Sequence, residues 1–128
     1  MSYLLDTHTL AWWLFQPHLV SAETAEIIGD SNQEIFVSAI SAFEMSNKYR
    51  LGKWPAIRQL AQSFEQTVEG QGFRLLAISC EDAALAGRLE SPHRDPFDRM
   101  LASQSRRGPL ILLTKDPKLS ELGAITFW

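Results

Sequence analysis

Asp6, Glu44, Asp98 and Asp116 are the residues of this chain whose type and setting carry chemistry. Each is expected where a helix begins. Tyr3-Leu4-Leu5 leads into Asp6, Leu110 to Leu113 lies just before Asp116, and Ile35-Phe36-Val37 precedes the stretch holding Glu44. In an open parallel α/β sheet the carboxyl ends of the strands face one crevice, and ligands bind there. Carboxylates gathered at that edge repel one another, and some protonate unless a cation joins them. Asp and Glu oxygens without cysteine or an obligatory histidine favour Mg²⁺ or Mn²⁺ over zinc. Such ions activate water, neutralise charge on phosphate and steady a leaving oxygen. The chemistry on offer is metal-dependent phosphoryl transfer.

Each acid also has a structural explanation. Asp6 is a natural helix cap. Glu44 follows Ser41 at capping-box spacing and pairs with Lys48 at i, i+4. Asp95-Pro96-Phe97-Asp98 reads as an N-cap, a proline at N1 and an acid in the first turn, and Asp116-Pro117 repeats the cap. Singly, these signals are weak. What raises them is that a doubly wound sheet brings the helix starts after parallel strands to one edge.

The elements that must position the acids alternate strand and helix. Strands are expected at 3–6, 35–38, 73–78, 110–114 and 125–128, and helices at about 7–15, 21–30, 41–51, 97–106 and 117–122. Ser21 caps the second helix and Gly52 ends the third. Ile57, Leu60, Ala61, Phe64 and Val68 follow helical spacing as one apolar stripe. Ser79 to Asp82 forms a capping box for a helix through Leu89, and Gly108 closes the helix over 97–106. This pattern predicts an α/β fold, a mostly parallel sheet with helices on both faces.

Composition sets the frame. The 128 residues are 45% hydrophobic and 21% charged, ordinary for one globular domain spanning 1–128. No apolar run approaches the ~20 residues of a membrane span, and no targeting segment is visible, so the expected location is cytoplasmic. The single cysteine, Cys80, excludes an internal disulfide and suits a reducing compartment. It is expected to be a small buried residue near a helix start. The net charge of −3 argues weakly against nucleic-acid binding. Without the four acids, however, the remainder is slightly positive, and a loaded site would present a mildly positive face to phosphate. Arg94 and Arg99 are candidate phosphate contacts. His8 is a helix-surface residue within reach of the crevice, and His93 a loop residue with no obvious partner. Adjacent Trp12 and Trp13 cannot face the same way on a helix, so at least one is expected near the surface.

The motifs together resemble the PIN-domain ribonucleases, specifically the VapC-type toxins of type II toxin–antitoxin pairs. The resemblance covers nearly the whole chain. It rests on Leu4-Leu-Asp-Thr-His-Thr-Leu10, Ser38-Ala-Ile-Ser-Ala-Phe-Glu-Met45, Lys48-Tyr-Arg-Leu-Gly-Lys53, His93-Arg-Asp-Pro-Phe-Asp-Arg-Met-Leu-Ala102 and Leu113-Thr-Lys-Asp116, in the expected order. It implies a PIN-like fold with about five strands, and a catalytic, metal-binding quartet of Asp6, Glu44, Asp98 and Asp116. Asp95 and Thr114 match accessory positions. It also implies Mg²⁺ or Mn²⁺ dependence and endonucleolytic hydrolysis of RNA that leaves a 5′ phosphate and a 3′ hydroxyl. The implied partners are a cognate antitoxin and a second copy in a homodimer or larger toxin–antitoxin assembly, with the exposed tryptophan surface receiving the antitoxin.

Rival readings are a catalytically idle PIN-type binding module and a phosphoacceptor receiver domain. The receiver shares the length, an acid after the first strand and a late lysine, here Lys115. It usually carries adjacent acids where this chain has Asp6-Thr7. A haloacid-dehalogenase-like phosphatase needs a second acid where His8 stands.

Overall fold

The computed structural model describes all 128 residues. The first unit is β1 (Ser2–Leu5), α1 (Thr7–Phe15) and α2 (Ala22–Gly29), with a 3₁₀ turn at Pro17–Leu19. β2 (Glu34–Ser38) and α3 (Ala39–Arg50) follow, then a 3₁₀ turn at Pro55–Ile57, α4 (Arg58–Gln62) and α5 (Phe64–Gly70). The rest is β3 (Arg74–Leu76), α6 (Cys80–Arg88), α7 (Pro96–Arg107), β4 (Ile111–Leu113), α8 (Pro117–Glu121) and β5 (Thr126–Phe127). The five strands form one sheet in the order β3-β2-β1-β4-β5, and every adjacent pair is parallel.

β1 sits at the centre and sorts the core by alternation. Tyr3 and Leu5 face one layer, where they meet Leu10 of α1, Ile28 of α2, Met45 of α3 and Leu60 of α4. Leu4 faces the other, against Leu101 and Ala102 of α7 and Leu119 of α8. Leu4 and Leu5 are fully buried, each contributing about 1.5–3 kcal/mol by leaving water. Helices therefore cover both faces, as the alternating pattern predicts. No helix is long and apolar enough to cross a membrane.

The register fixes where the site lies. Leu5 pairs with Val37 and Leu113, so β1, β2 and β4 end together. The chain leaves β1 towards β2 on one side, while β4 occupies the other, so strand order diverges between β1 and β4. That gap is where such sheets bind ligands. Asp6 and Thr114 are the first residues past those two strands.

Local structure departs from expectation in three places. α3 begins at Ala39, not near Ser41, because Ser38 Oγ accepts from the Ile40 N–H at 3.0 Å and caps the helix. Ser41 instead shares a buried 2.9 Å hydrogen bond with Thr7, which leaves Glu44 in the second turn and outside any capping box. The stripe from Ile57 to Val68 breaks at Ser63, whose hydroxyl donates to the Gln59 carbonyl at 2.9 Å and competes with helix continuation. Ile57, Leu60, Phe64 and Val68 all remain buried despite the break. Cys80 is exposed, since it occupies the first turn of α6 on its outer side. Gly52 follows α3 at φ 73°, the left-handed stop expected of it. Gly108 ends α7 for another reason: a Cβ there would lie 2.4 Å from Leu110 Cγ.

Candidate active site

Asp6 is fixed before any ligand arrives. It is buried at the end of β1, and its Oδ1 accepts from the Thr9 N–H at 2.7 Å, capping α1. Thr9 in turn donates its hydroxyl to the Leu113 carbonyl of β4 at 3.0 Å. The Thr114 hydroxyl donates to Asp6 Oδ2, and accepts from the Asp116 N–H at 3.0 Å. One threonine thus ties the acids after β1 and β4 together. Burial pushes the Asp6 carboxyl above its ordinary pKa, and the hydrogen bonds from Thr114 and Thr9 offset this only in part.

Glu44 is buried on α3, and its Oε2 lies 2.5 Å from Lys48 Nζ. Asp98 stands in the first turn of α7, half-buried, with Oδ2 2.8 Å from His93 Nε2. Burial raises the Asp98 pKa; the bond to His93 lowers it, and the charges of Asp95 and Asp116 raise it again. Asp95 is the N-cap of α7, accepting from the Phe97 and Asp98 N–H groups at 2.8 and 3.3 Å. Asp116 caps α8 through the Lys118 N–H at 2.9 Å. For Asp6, Asp95 and Asp116, capping and cleft-lining coincide.

These acids line one cleft of about 430 Å³, within the range of clefts that take a small ligand. Asp6, Glu44, Asp95, Asp98 and Asp116 share its wall with Lys48, Lys115 and Lys118, and with His8, His93 and Trp12. The donor set suits a hard divalent cation: all oxygen, drawn from separate elements, with two members that burial favours in neutral form until positive charge comes close. Lys48 supplies such charge to Glu44. No three His, Cys, Asp or Glu side chains converge closely enough to hold an ion as they stand. The residues fit a cation in donor type and line one cleft, but their side chains would have to adjust to close on it.

The remaining candidates divide. Thr114 touches Asp6 without lining the cleft. Arg94 is exposed and lies outside the cleft wall. Arg99 is not free for phosphate: its guanidinium donates to the carbonyls of Ala86, Gly87, Leu89, Ser91 and His93. It therefore fastens the loop that presents His93. His93, read as partnerless, contacts Asp98 because that loop folds back over the first turn of α7. His8 is exposed and lines the cleft. Sequence reasoning passed over Lys118; its place two residues beyond the Asp116 cap was the available signal. Trp12 and Trp13 diverge as helical spacing requires. Trp12 joins the cleft wall, while the Trp13 Nε1–H donates to Gln71 Oε1 at 3.1 Å.

A family model described as PIN domain matches residues 3–125. No curated protein matches the chain. Among solved structures, VapBC2 from Rickettsia felis bound to a promoter DNA fragment aligns at TM-score 0.72 and 17% identity, over 99% of this chain and 98% of that one. FitAcB from Neisseria gonorrhoeae aligns at TM-score 0.69 and 18% identity, over 98% and 96%. A toxin–antitoxin complex from Klebsiella pneumoniae aligns at TM-score 0.61 and 16% identity, over 99% and 97%. At these identities the likeness is one of fold.

Proposed function

Because the chain belongs to the PIN domain family, we propose that it is a metal-dependent endoribonuclease of the VapC toxin class, restrained by a cognate antitoxin. The carrying observation is the single cleft into which β1, α3, α7 and the β4–α8 turn bring Asp6, Glu44, Asp98 and Asp116. A binding module has no need of four carboxylates at one strand edge. The antitoxin rests on the solved neighbours, one of which is a toxin–antitoxin complex.

In this reading Asp6, Glu44, Asp98 and Asp116 would hold one or two Mg²⁺ or Mn²⁺ ions, which would supply water activation and neutralisation of phosphate charge. The chain's own residues prepare that step. Thr9 and Thr114 hold the Asp6 carboxylate from both sides, so no rotamer freedom is lost when it binds. Asp95 fixes the first turn of α7, and His93 orients the Asp98 carboxylate. Lys48, Lys115 and Lys118 line the same cleft and would meet the non-bridging oxygens of the phosphate, while Lys48 also holds the Glu44 carboxylate. In-line attack by water displaces the 3′ oxygen and leaves a 5′ phosphate and a 3′ hydroxyl. The unit acting is the single domain 1–128, as a cytoplasmic homodimer or within a larger toxin–antitoxin assembly.

The test is incubation of antitoxin-free protein and its Asp98→Asn variant, prepared in parallel, with total cellular RNA in Mg²⁺, Mn²⁺ or EDTA, followed by sequencing of 5′-phosphate ends. Discrete metal-dependent cuts are expected from the parent alone. Equal cutting by both preparations would point to a contaminant. Metal-bound parent protein that cuts no RNA would favour the idle binding module.

A further inference from the structure

We propose that His8, seated on Trp54 and Trp12 at the edge of the acidic cleft, is the stacking face for an unpaired nucleobase beside the scissile phosphate. The choice of ligand rests on the nuclease reading above. The imidazole of His8 lies 4.9 Å from the Trp54 ring at an interplanar angle of 26°, and 5.9 Å from Trp12 at 53°. Both indoles are partly buried and pack against the core, and Trp12 is braced further by the edge of Trp128 at 5.8 Å. Lys48 Nζ approaches the Trp54 ring at 5.8 Å. His8 itself is exposed. Its ring therefore adds nothing to the core, yet it is held in a fixed plane by two anchored aromatics.

Position gives that plane a use. His8 is two residues beyond Asp6 and one helical turn before Trp12, so α1 carries an acid and an aromatic face side by side into the same cleft. A base lying on His8 belongs to a nucleotide whose phosphate is within the span of the acids and lysines. Every base has a π-face, so an open ring accepts any base, but only one already outside a duplex stack. The platform accordingly selects single-stranded segments, loops and ends over paired RNA. The lysines in the same cleft favour an RNA strand over an antitoxin segment as the occupant, since they match a phosphate backbone.

The test measures binding apart from cleavage. In the Asp98→Asn background with Mg²⁺, tryptophan fluorescence follows titration by a single-stranded RNA octamer and by octamers carrying one abasic residue at each position in turn. One abasic position is expected to weaken binding about 5- to 150-fold, the range of a single base–aromatic stack, and to diminish the quenching. His8→Ala removes the discrimination between intact and abasic RNA, and His8→Phe keeps it. Undiminished discrimination in His8→Ala overturns the platform. So does an absence of RNA binding, or a His8→Ala protein that loses only antitoxin affinity. Wild-type protein that discriminates through His8 yet cuts no RNA would leave the platform standing and remove the nuclease.

Discussion

Asp6 and Asp98 are placed where their charged forms are disfavoured, and that has a measurable sign. Burial raises both carboxyls above the ordinary value of 3.8. An acid whose folded pKa exceeds its unfolded one holds its proton more tightly when folded. Its stabilising effect is then present at low pH and declines as pH rises from 3.8 through the raised value. Asp98→Asn removes an ionisation that burial disfavours, and should raise the melting temperature of the metal-free protein by about 2–8 °C while abolishing cleavage. Thermal unfolding in EDTA checks this; a lower melting temperature in the variant would contradict the assignment. Added Mg²⁺ should stabilise the parent, by about 2.7 kcal/mol at a hundredfold excess over its dissociation constant, and stabilise Asp98→Asn less at the same concentration. At this scale the settings of Asp6, Asp98 and Asp116 at helix starts were legible, whereas that of Glu44 was not, because Ser38 and not Ser41 caps α3. The His93–Asp98 contact was not, because it depends on how an irregular loop returns to α7.

Two polar clusters hold the elements that carry those acids. Arg99 gathers five carbonyls from the end of α6 and the following loop, a planar fork that lysine cannot reproduce. Arg99→Lys should cost about 1.5–3 kcal/mol in urea unfolding and weaken cleavage by loosening His93. Stability unchanged within error would remove Arg99 as the fastener. Asp82 is the second. Burial works to raise its carboxyl, but the Ser79 N–H, the Gln104 amide and Arg107 outweigh it and hold its pKa low. A depressed acid contributes stability above 3.8 and loses it as pH falls through its folded pKa. Asp82→Asn should therefore be less stable than the parent at neutral pH, with the two converging in urea midpoints below pH 3.8. Parallel curves across that range would refute the linkage. The Ser79–Asp82 box itself was readable from sequence, as was the cap at Ser21. The break between α4 and α5 was not: the apolar spacing continues through Ser63, and only that serine's own hydrogen bond marks the interruption.

For the whole molecule, alternation of strand and helix made the fold class legible, whereas the order β3-β2-β1-β4-β5 was not, because parallel pairing joins segments far apart in sequence. That order places the charge. A chain of net charge −3 is a poor nucleic-acid ligand on average, yet Lys48, Lys115 and Lys118 stand at the same strand edge as the acids. In the proposed nuclease, with a divalent cation offsetting the carboxylates, these lysines would be the local field that an RNA strand meets. Each single-strand phosphate neutralised contributes a slope of about −0.7 to the logarithm of affinity against the logarithm of salt. Three such contacts give a slope of about −2 at fixed Mg²⁺, and Lys118→Gln should reduce its magnitude by about 0.7 for every RNA sequence alike. His8→Ala should lower affinity without changing the slope, because stacking releases no counterion. Salt titrations of the same octamer on both variants separate the contributions. An unchanged slope in Lys118→Gln would mean that the strand crosses the cleft away from α8, leaving Lys48 and Lys115 to hold it.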